Sequence, residues 1–233
     1  MTTRKDKQPP RQALSREQVI DAALELIDRH GVEALTMRRL AEVLEVYPAT
    51  IYWHAGNRAQ LIARVCQRVF EGIELPDADS VPWTEWILQL AHRSRERLGR
   101  HPNLAVDFTS TIQISASSLT MADRLLAVLE DAGFTGEQLV MVYNTVLGGI
   151  FGWIAAEFAS EPVAGDSDWV SEYQHALREG GGADLPAIHR NFFLVANRAF
   201  MLRWSSGRST PMESSFDFAM RTMIAGLERM RDA

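Results

Sequence analysis

Within eight residues the chain places Tyr47, Pro48, Thr50, Tyr52, Trp53 and His54, with Arg38 and Arg58 on either side. Hydroxyls, an indole and an imidazole at this density are suited to nucleic acid. Tyr and His donate to phosphate oxygens, Thr50 can touch a base edge or a thymine methyl, and guanidinium groups neutralise phosphates. Taken singly, each has an ordinary alternative. Tyr52 and Trp53 can pack a small helical bundle, His54 can serve as a cation at a helix C-terminus, and Arg38 with Arg39 can line a solvated face. Other chemistry lacks its residues: there is no nucleophile set beside a base, no GxGxxG, no Walker loop and no HExxH. The run Gly180 to Gly182 opens no phosphate motif. His92 and His101, near Arg93, Arg95, Arg97 and Arg100, read as a solvated helix face rather than an anion or metal site. The expectation is a protein that is not an enzyme and carries no cofactor or metal.

These groups need a scaffold, and the local signals supply one. Ser15 with Gln18 three residues on makes a capping box ahead of Val19, Ala22, Ala23, Leu26 and Ile27 at helical spacing, and Gly31 ends that helix. Thr36 caps a second, short helix through Leu44, with Met37, Leu40, Ala41 and Leu44 inward and Arg38, Arg39 and Glu42 outward. After a tight connection at Glu45, Val46 and Tyr47, Pro48 opens a third helix of barely two turns that Gly56 stops. Asn57 caps a fourth, carrying Leu61, Ile62, Val65, Val69, Phe70 and Ile73, which runs to Leu75. Two short helices joined by a tight turn and held by a third form a helix-turn-helix, whose second member enters the major groove.

The stretch GVEALTMRRLAEVLEVYPATIYWHAGNRAQLI resembles the N-terminal signature of the tetracycline-repressor family of bacterial regulators. Gly31 and Thr36 at their spacing, Arg38-Arg39-Leu40-Ala41, Thr50 to His54, Asn57 and Leu61-Ile62 carry the likeness, which covers about the first 75 residues. It implies that Thr50, Tyr52, Trp53, His54 and Arg58 lie on or beside the recognition helix and contact bases or phosphates, and that Arg38 reaches the operator from the helix before. Tyr47 and Pro48 belong to the same surface but depart from the tetracycline repressors themselves, so no operator sequence is implied.

Composition agrees with a small head on a larger body. The chain has 233 residues, 46% hydrophobic and 23% charged, with net charge −6. Residues 1–64 hold ten Lys/Arg against eight Asp/Glu, so the acidity belongs to the rest. One cysteine, Cys66, rules out an internal disulfide and fits a reducing, cytoplasmic setting. The expected organisation is a basic arm at 1–14, a DNA-binding domain at 15–75 with a linker helix at 57–75, an acidic junction after Pro76, and an all-α domain at 82–233. That domain has helices at about 83–99, 102–114, 118–132, 135–159, 187–205 and 211–231.

In the family this larger part holds a ligand pocket and dimerises through its last long helices. Trp86, Leu90, Phe108, Ile112, Leu125, Asn144 and Phe151 fall on inward positions of a mostly apolar lining, although each alone could be plain core. No magnesium-dependent drug site can be carried over. Leu139 to Ala156 is 18 residues without a charge. Its Tyr143, Asn144 and Thr145, three glycines and lack of a Lys/Arg flank favour a helix covered by protein over one in a membrane. Gly148, Gly149 and Gly152 with Ala156 would let a second copy approach closely. The reading is an all-α homodimeric regulator that binds a palindromic double-stranded operator and is released by a small hydrophobic or aromatic effector. The alternative is a helical protein-interaction module without DNA binding.

Overall fold

The computed structural model describes residues 14–71, 73–105, 116–159, 175, 186–195, 198–200 and 212–232. Phe108 and Ile112, the N-terminal arm short of residue 14, and the glycine run at 180–182 lie outside the described residues. Helices α1 (Arg16–His30), α2 (Met37–Val43), α3 (Pro48–Ala55), α4 (Arg58–Phe70), α5 (Trp83–Gly99), α6 (Ala116–Asp131), α7 (Gly136–Phe158), α8 (Pro186–Val195) and α9 (Glu213–Arg231) follow one another, and residues 102–105 are helical too. Among the described residues no strand occurs. The chain divides into two compact units at Arg68/Val69.

In the first unit the helix ends are built from side chains. Ser15 accepts from the Gln18 amide while the Gln18 side chain accepts from the Ser15 amide. Asn57 and Gln60 exchange the same pair of bonds at 2.9 Å ahead of α4. Thr36 accepts from the Arg39 amide at 3.1 Å. Each satisfies amides that a helix start would leave orphaned. The turn after α2 closes with the Val46 amide donating to Ala41 and the Glu45 amide to Glu42, which places Glu45 at φ 53 in the left-handed region. This is a Schellman closure with glutamate where glycine is usual. Val19, Ala23, Ile27, Leu35, Leu40, Ile51, Ala55, Leu61 and Val65 form its core.

The fourth helix ends at Phe70, short of the expected Leu75. Its last carbonyls are taken up by Arg97, which donates from Nε to Val69 at 2.6 Å and from an Nη to Glu71 at 3.0 Å. Arg97 is thus a helix cap rather than part of a solvated face. Arg95 departs from that expectation further. Its guanidinium lies against the Glu157 carboxylate at 2.8 and 2.6 Å, with side-chain exposures of 15% and 5%, and its carbon sits 5.3 Å from the Phe216 ring centre. Glu157 also accepts from the Met212 amide. Burial alone would push Arg95 toward losing its proton; the bond to Glu157 outweighs that and raises its pKa above the ordinary value. One ion pair therefore joins α5, α7 and the start of α9.

The second unit packs α5 against α6, α7 and α9, and α7 against α6 and α9. Trp86, Ile87, Leu90, Leu98, Leu125, Phe134, Ile150 and Phe216 are buried among them. The turn between α6 and α7 closes by amides of Gly133 and Phe134 donating to Glu130 and Leu129, with Gly133 at φ 98.

Candidate functional site

The first unit holds α3 so that one face is core and the other is free. Ile51 and Ala55 are fully buried, and their spacing of four fixes the inner face. Pro48, Ala49, Tyr52 and Trp53 therefore turn outward, with Tyr47 at the helix start. Tyr47 is 84% exposed, Trp53 80% and Tyr52 53%. Large rings left this open are not packing the bundle. Trp53 meets His54 edge to face at 4.6 Å, and Thr50 and His54 are half-buried at the flanks. Arg16 donates to the His54 carbonyl at 3.2 Å and ties the end of α3 to α1, a contact the sequence did not signal.

The two arginines part company. Arg38 stands on exposed α2 with its Nε 2.9 Å from Glu42, a bond within reach of solvent and open to exchange for a phosphate. Arg58 is committed inward: it donates to the Leu35 and Val32 carbonyls, both at 2.8 Å. These bonds join the turn before α2 to the start of α4, so Arg58 braces the motif while its side chain stays 40% exposed.

Of the expected pocket residues, Trp86, Leu90 and Leu125 are core, and the Trp86 indole donates to the Pro76 carbonyl at 3.0 Å. Phe151 is half-buried and meets Phe70 edge to face at 6.0 Å. Asn144 does not look inward; it is exposed on α7 beside Thr145 and Gly148. A hollow of about 260 Å³ lies elsewhere, lined by Ile73, Glu74, Arg93, Glu96, Arg97 and Arg100, and is charged rather than apolar. Two buried polar atoms have no partner among the described residues, Ser94 Oγ on α5 and Trp153 Nε1 on α7. Trp153 stands edge to face with Phe200 at 4.7 Å and with Phe216 at 6.3 Å. Sequence reading missed both atoms, since neither Ser94 nor Trp153 belongs to a motif.

The glycines of α7 also differ. Gly148 and Gly152 face open space, whereas a Cβ at Gly149 would fall 2.6 Å from Met223 Sδ. Gly149 thus makes room for α9 of its own chain. Ala156 is half-buried. Among the described residues no group of three or more His, Cys, Asp or Glu side chains could hold a metal ion.

An outward-facing helix braced by two others in a capped four-helix head is the architecture of a helix-turn-helix DNA-binding protein. Residues 19–65 match the family model of bacterial regulatory proteins of the tetR family, and residues 75–231 match the tetracyclin repressor-like C-terminal domain. An HTH-type transcriptional regulator from Saccharopolyspora erythraea is 28% identical over 181 residues, covering 77% of this chain and 75% of that one. The class A tetracycline repressor from transposon 1721 of Escherichia coli is 30% identical over 153 residues, 64% of this chain and 68% of that one. In fold, the Streptomyces coelicolor TetR family protein ActR, solved in complex with actinorhodin, superposes with a TM-score of 0.72 at 20% identity, covering 95% of this chain and all of that one. The chain belongs to the tetracycline-repressor family, whose members are ligand-responsive, DNA-binding regulators of transcription.

Proposed function

We propose that the protein is a homodimeric cytoplasmic repressor that grips a palindromic operator and lets go when a small hydrophobic or aromatic molecule enters its larger domain. The observation that carries this reading is the open aromatic face of α3, with Tyr47, Tyr52 and Trp53 held outward by the burial of Ile51 and Ala55. Thr50 and His54 at its flanks and Arg38 before it supply the remaining contacts to bases and phosphates.

The exposed sides of α7 and α9 support the dimer. By length and composition α7 could span a bilayer, yet only 22% of its most apolar stretch is buried within the chain. Val140, Met141, Asn144, Thr145, Gly148 and Gly152 line its exposed side, and Phe218, Thr222, Ala225 and Met230 line that of α9, which packs beside it. In a DNA-binding regulator the cover for such a surface is protein. A two-fold partner presenting the same two helices would complete a four-helix bundle.

For the effector, the unpartnered Ser94 Oγ and Trp153 Nε1 support a ligand with hydrogen-bond acceptors, and the rings of Trp153, Phe200 and Phe216 support an aromatic body. The solved complex of ActR with actinorhodin and that of TetR-Q116A from Acinetobacter baumannii AYE with minocycline favour the same class of occupant. The test is calorimetry of a small aromatic library with and without operator duplex. Release requires that DNA weaken effector binding by the factor with which effector weakens DNA binding. Equal effector affinity in both titrations overturns the sensing half of the proposal.

A further inference from the structure

From the composition of the outward face of α3, we infer that the protein reads its operator through thymine methyl groups, with Tyr47 as the residue that sets specificity. The inference rests on the reading that α3 enters the major groove, and goes beyond it by naming the chemistry that is read. In that groove guanine offers two acceptors that suit Arg or Lys. Adenine offers an acceptor and a donor that suit Asn or Gln, and cytosine a donor that suits Asp or Glu; thymine adds a methyl that suits apolar contact. The exposed positions of the helix and its start are Tyr47, Pro48, Ala49, Tyr52 and Trp53. They include no guanidinium, ammonium, carboxamide or carboxylate. Pro48 has no amide to donate, and Ala49 is a methyl group. Apart from the Tyr47 and Tyr52 hydroxyls and the Trp53 indole N–H, what this surface offers a base pair is carbon.

The N-terminal end of a recognition helix is the part that meets base edges. Here that end is Tyr47, Pro48 and Ala49. Tyr47 is the most exposed of the three aromatic residues on this face at 84%, and it makes no side-chain bond capping the helix it opens, so its ring is not spent on holding the fold. Arg38, the exposed guanidinium of α2, leaves room for a guanine contact or a phosphate contact from outside α3. Within the reach of α3 itself, A·T pairs are distinguished by their methyls, and a ring at position 47 is the broad flat surface on which a methyl can rest.

The test begins with duplexes selected by the full-length protein from a random pool. In the selected operator each thymine is replaced in turn by deoxyuridine, which removes the methyl and leaves every hydrogen-bonding group unchanged. One or two positions per half-site should bind about 4-fold more weakly, the loss expected when one buried methyl is removed. Tyr47→Ala should bind thymine and uracil equally at one of those positions, while Tyr47→Phe should keep the wild-type preference; thermal melts of both variants should match the parent. Selective binding that ignores uracil everywhere overturns the inference and leaves the DNA-binding reading standing. Full uracil sensitivity in Tyr47→Ala, or Tyr47→Phe behaving like Tyr47→Ala, overturns the assignment to the ring. Failure to select any sequence overturns both readings.

Discussion

Among the described surfaces that leave apolar side chains in water, that of α3 and that of α7 with α9 are made of different material. On α3 the exposed groups are Tyr47, Tyr52 and Trp53, rings that carry a hydroxyl or an indole N–H. On α7 and α9 they are Val140, Met141, Phe218 and Met230, interrupted by bare backbone at Gly148 and Gly152. The first kind suits a partner that is itself polar, because each ring offers carbon to a base and a donor to a phosphate at little conformational cost. The second kind has few such handles and suits a smooth, close helix contact, in which shape decides the fit. Exposed hydrophobicity therefore carries two messages here, and the polar tip of the side chain tells them apart.

The comparison breaks most visibly at the glycines. Replacing Gly148 and Gly152 together by Glu should juxtapose like charges across the two-fold axis, which costs several kcal/mol and should weaken self-association at least ~100-fold. Sedimentation at micromolar protein would show monomer, and operator binding would fall with it. A variant that stays dimeric places the seam elsewhere.

Next in size is Arg58→Met, which separates groups on the reading face from those beneath it. Loss of the two bonds to Val32 and Leu35 should lower stability by about 2 kcal/mol. The dependence of duplex binding on salt should hold. An unchanged melt with a salt slope shallower by about one ion would return Arg58 to the phosphates.

Tyr52→Ala and Thr50→Ala should each cost roughly 1 kcal/mol of operator affinity with no change in melting, Thr50→Ala at particular base pairs and Tyr52→Ala on all duplexes alike. Gel shifts beside thermal melts settle this, and a collapse in melting temperature would mean that the rings are packing after all. The smallest effect is expected at Glu45→Gly. Relieving a left-handed glutamate should raise stability by a few tenths to about 1 kcal/mol and leave duplex affinity alone.

What the sequence disclosed and what it withheld divide along range. Ser15 with Gln18, Thr36, Pro48 and Gly56 announce helix ends because capping is settled within three or four residues, and their helices stand where that chemistry puts them. On α3 the outward rings were legible, although the inner face pairs Ile51 with Ala55 one turn on, while Ala49, which the sequence places inward with Ile51, is exposed. The bracing by Arg58 was not legible, because its acceptors lie 23 and 26 residues away and a carbonyl has no signature in the sequence. Arg95 and Glu157, 62 residues apart, were hidden equally: among the six neighbouring basic side chains from His92 to His101 nothing marks Arg95 as the one that pairs with a buried carboxylate. Gly148 and Gly149 differ by one step of 100° around a helix, and that step sends one to solvent and the other to Met223. Asn144 went wrong by the same rotation, since a long uncharged helix does not declare which side faces its own core.

The joint between Arg95 and Glu157 gives the larger domain an uneven response to heat. Stripping water from two ions is hardest in the cold and eases on warming, because the ordering of water around charge becomes less favourable as temperature rises. The pair that pins α5 to α7 and to the first turn of α9 therefore opposes folding most when cold. Exchanging both for methionine should remove that cold-weighted penalty and leave in its place an apolar contact that itself weakens on cooling, which calorimetry of the two stability curves would separate. The ion pair costs these three helices least in the warm part of the range.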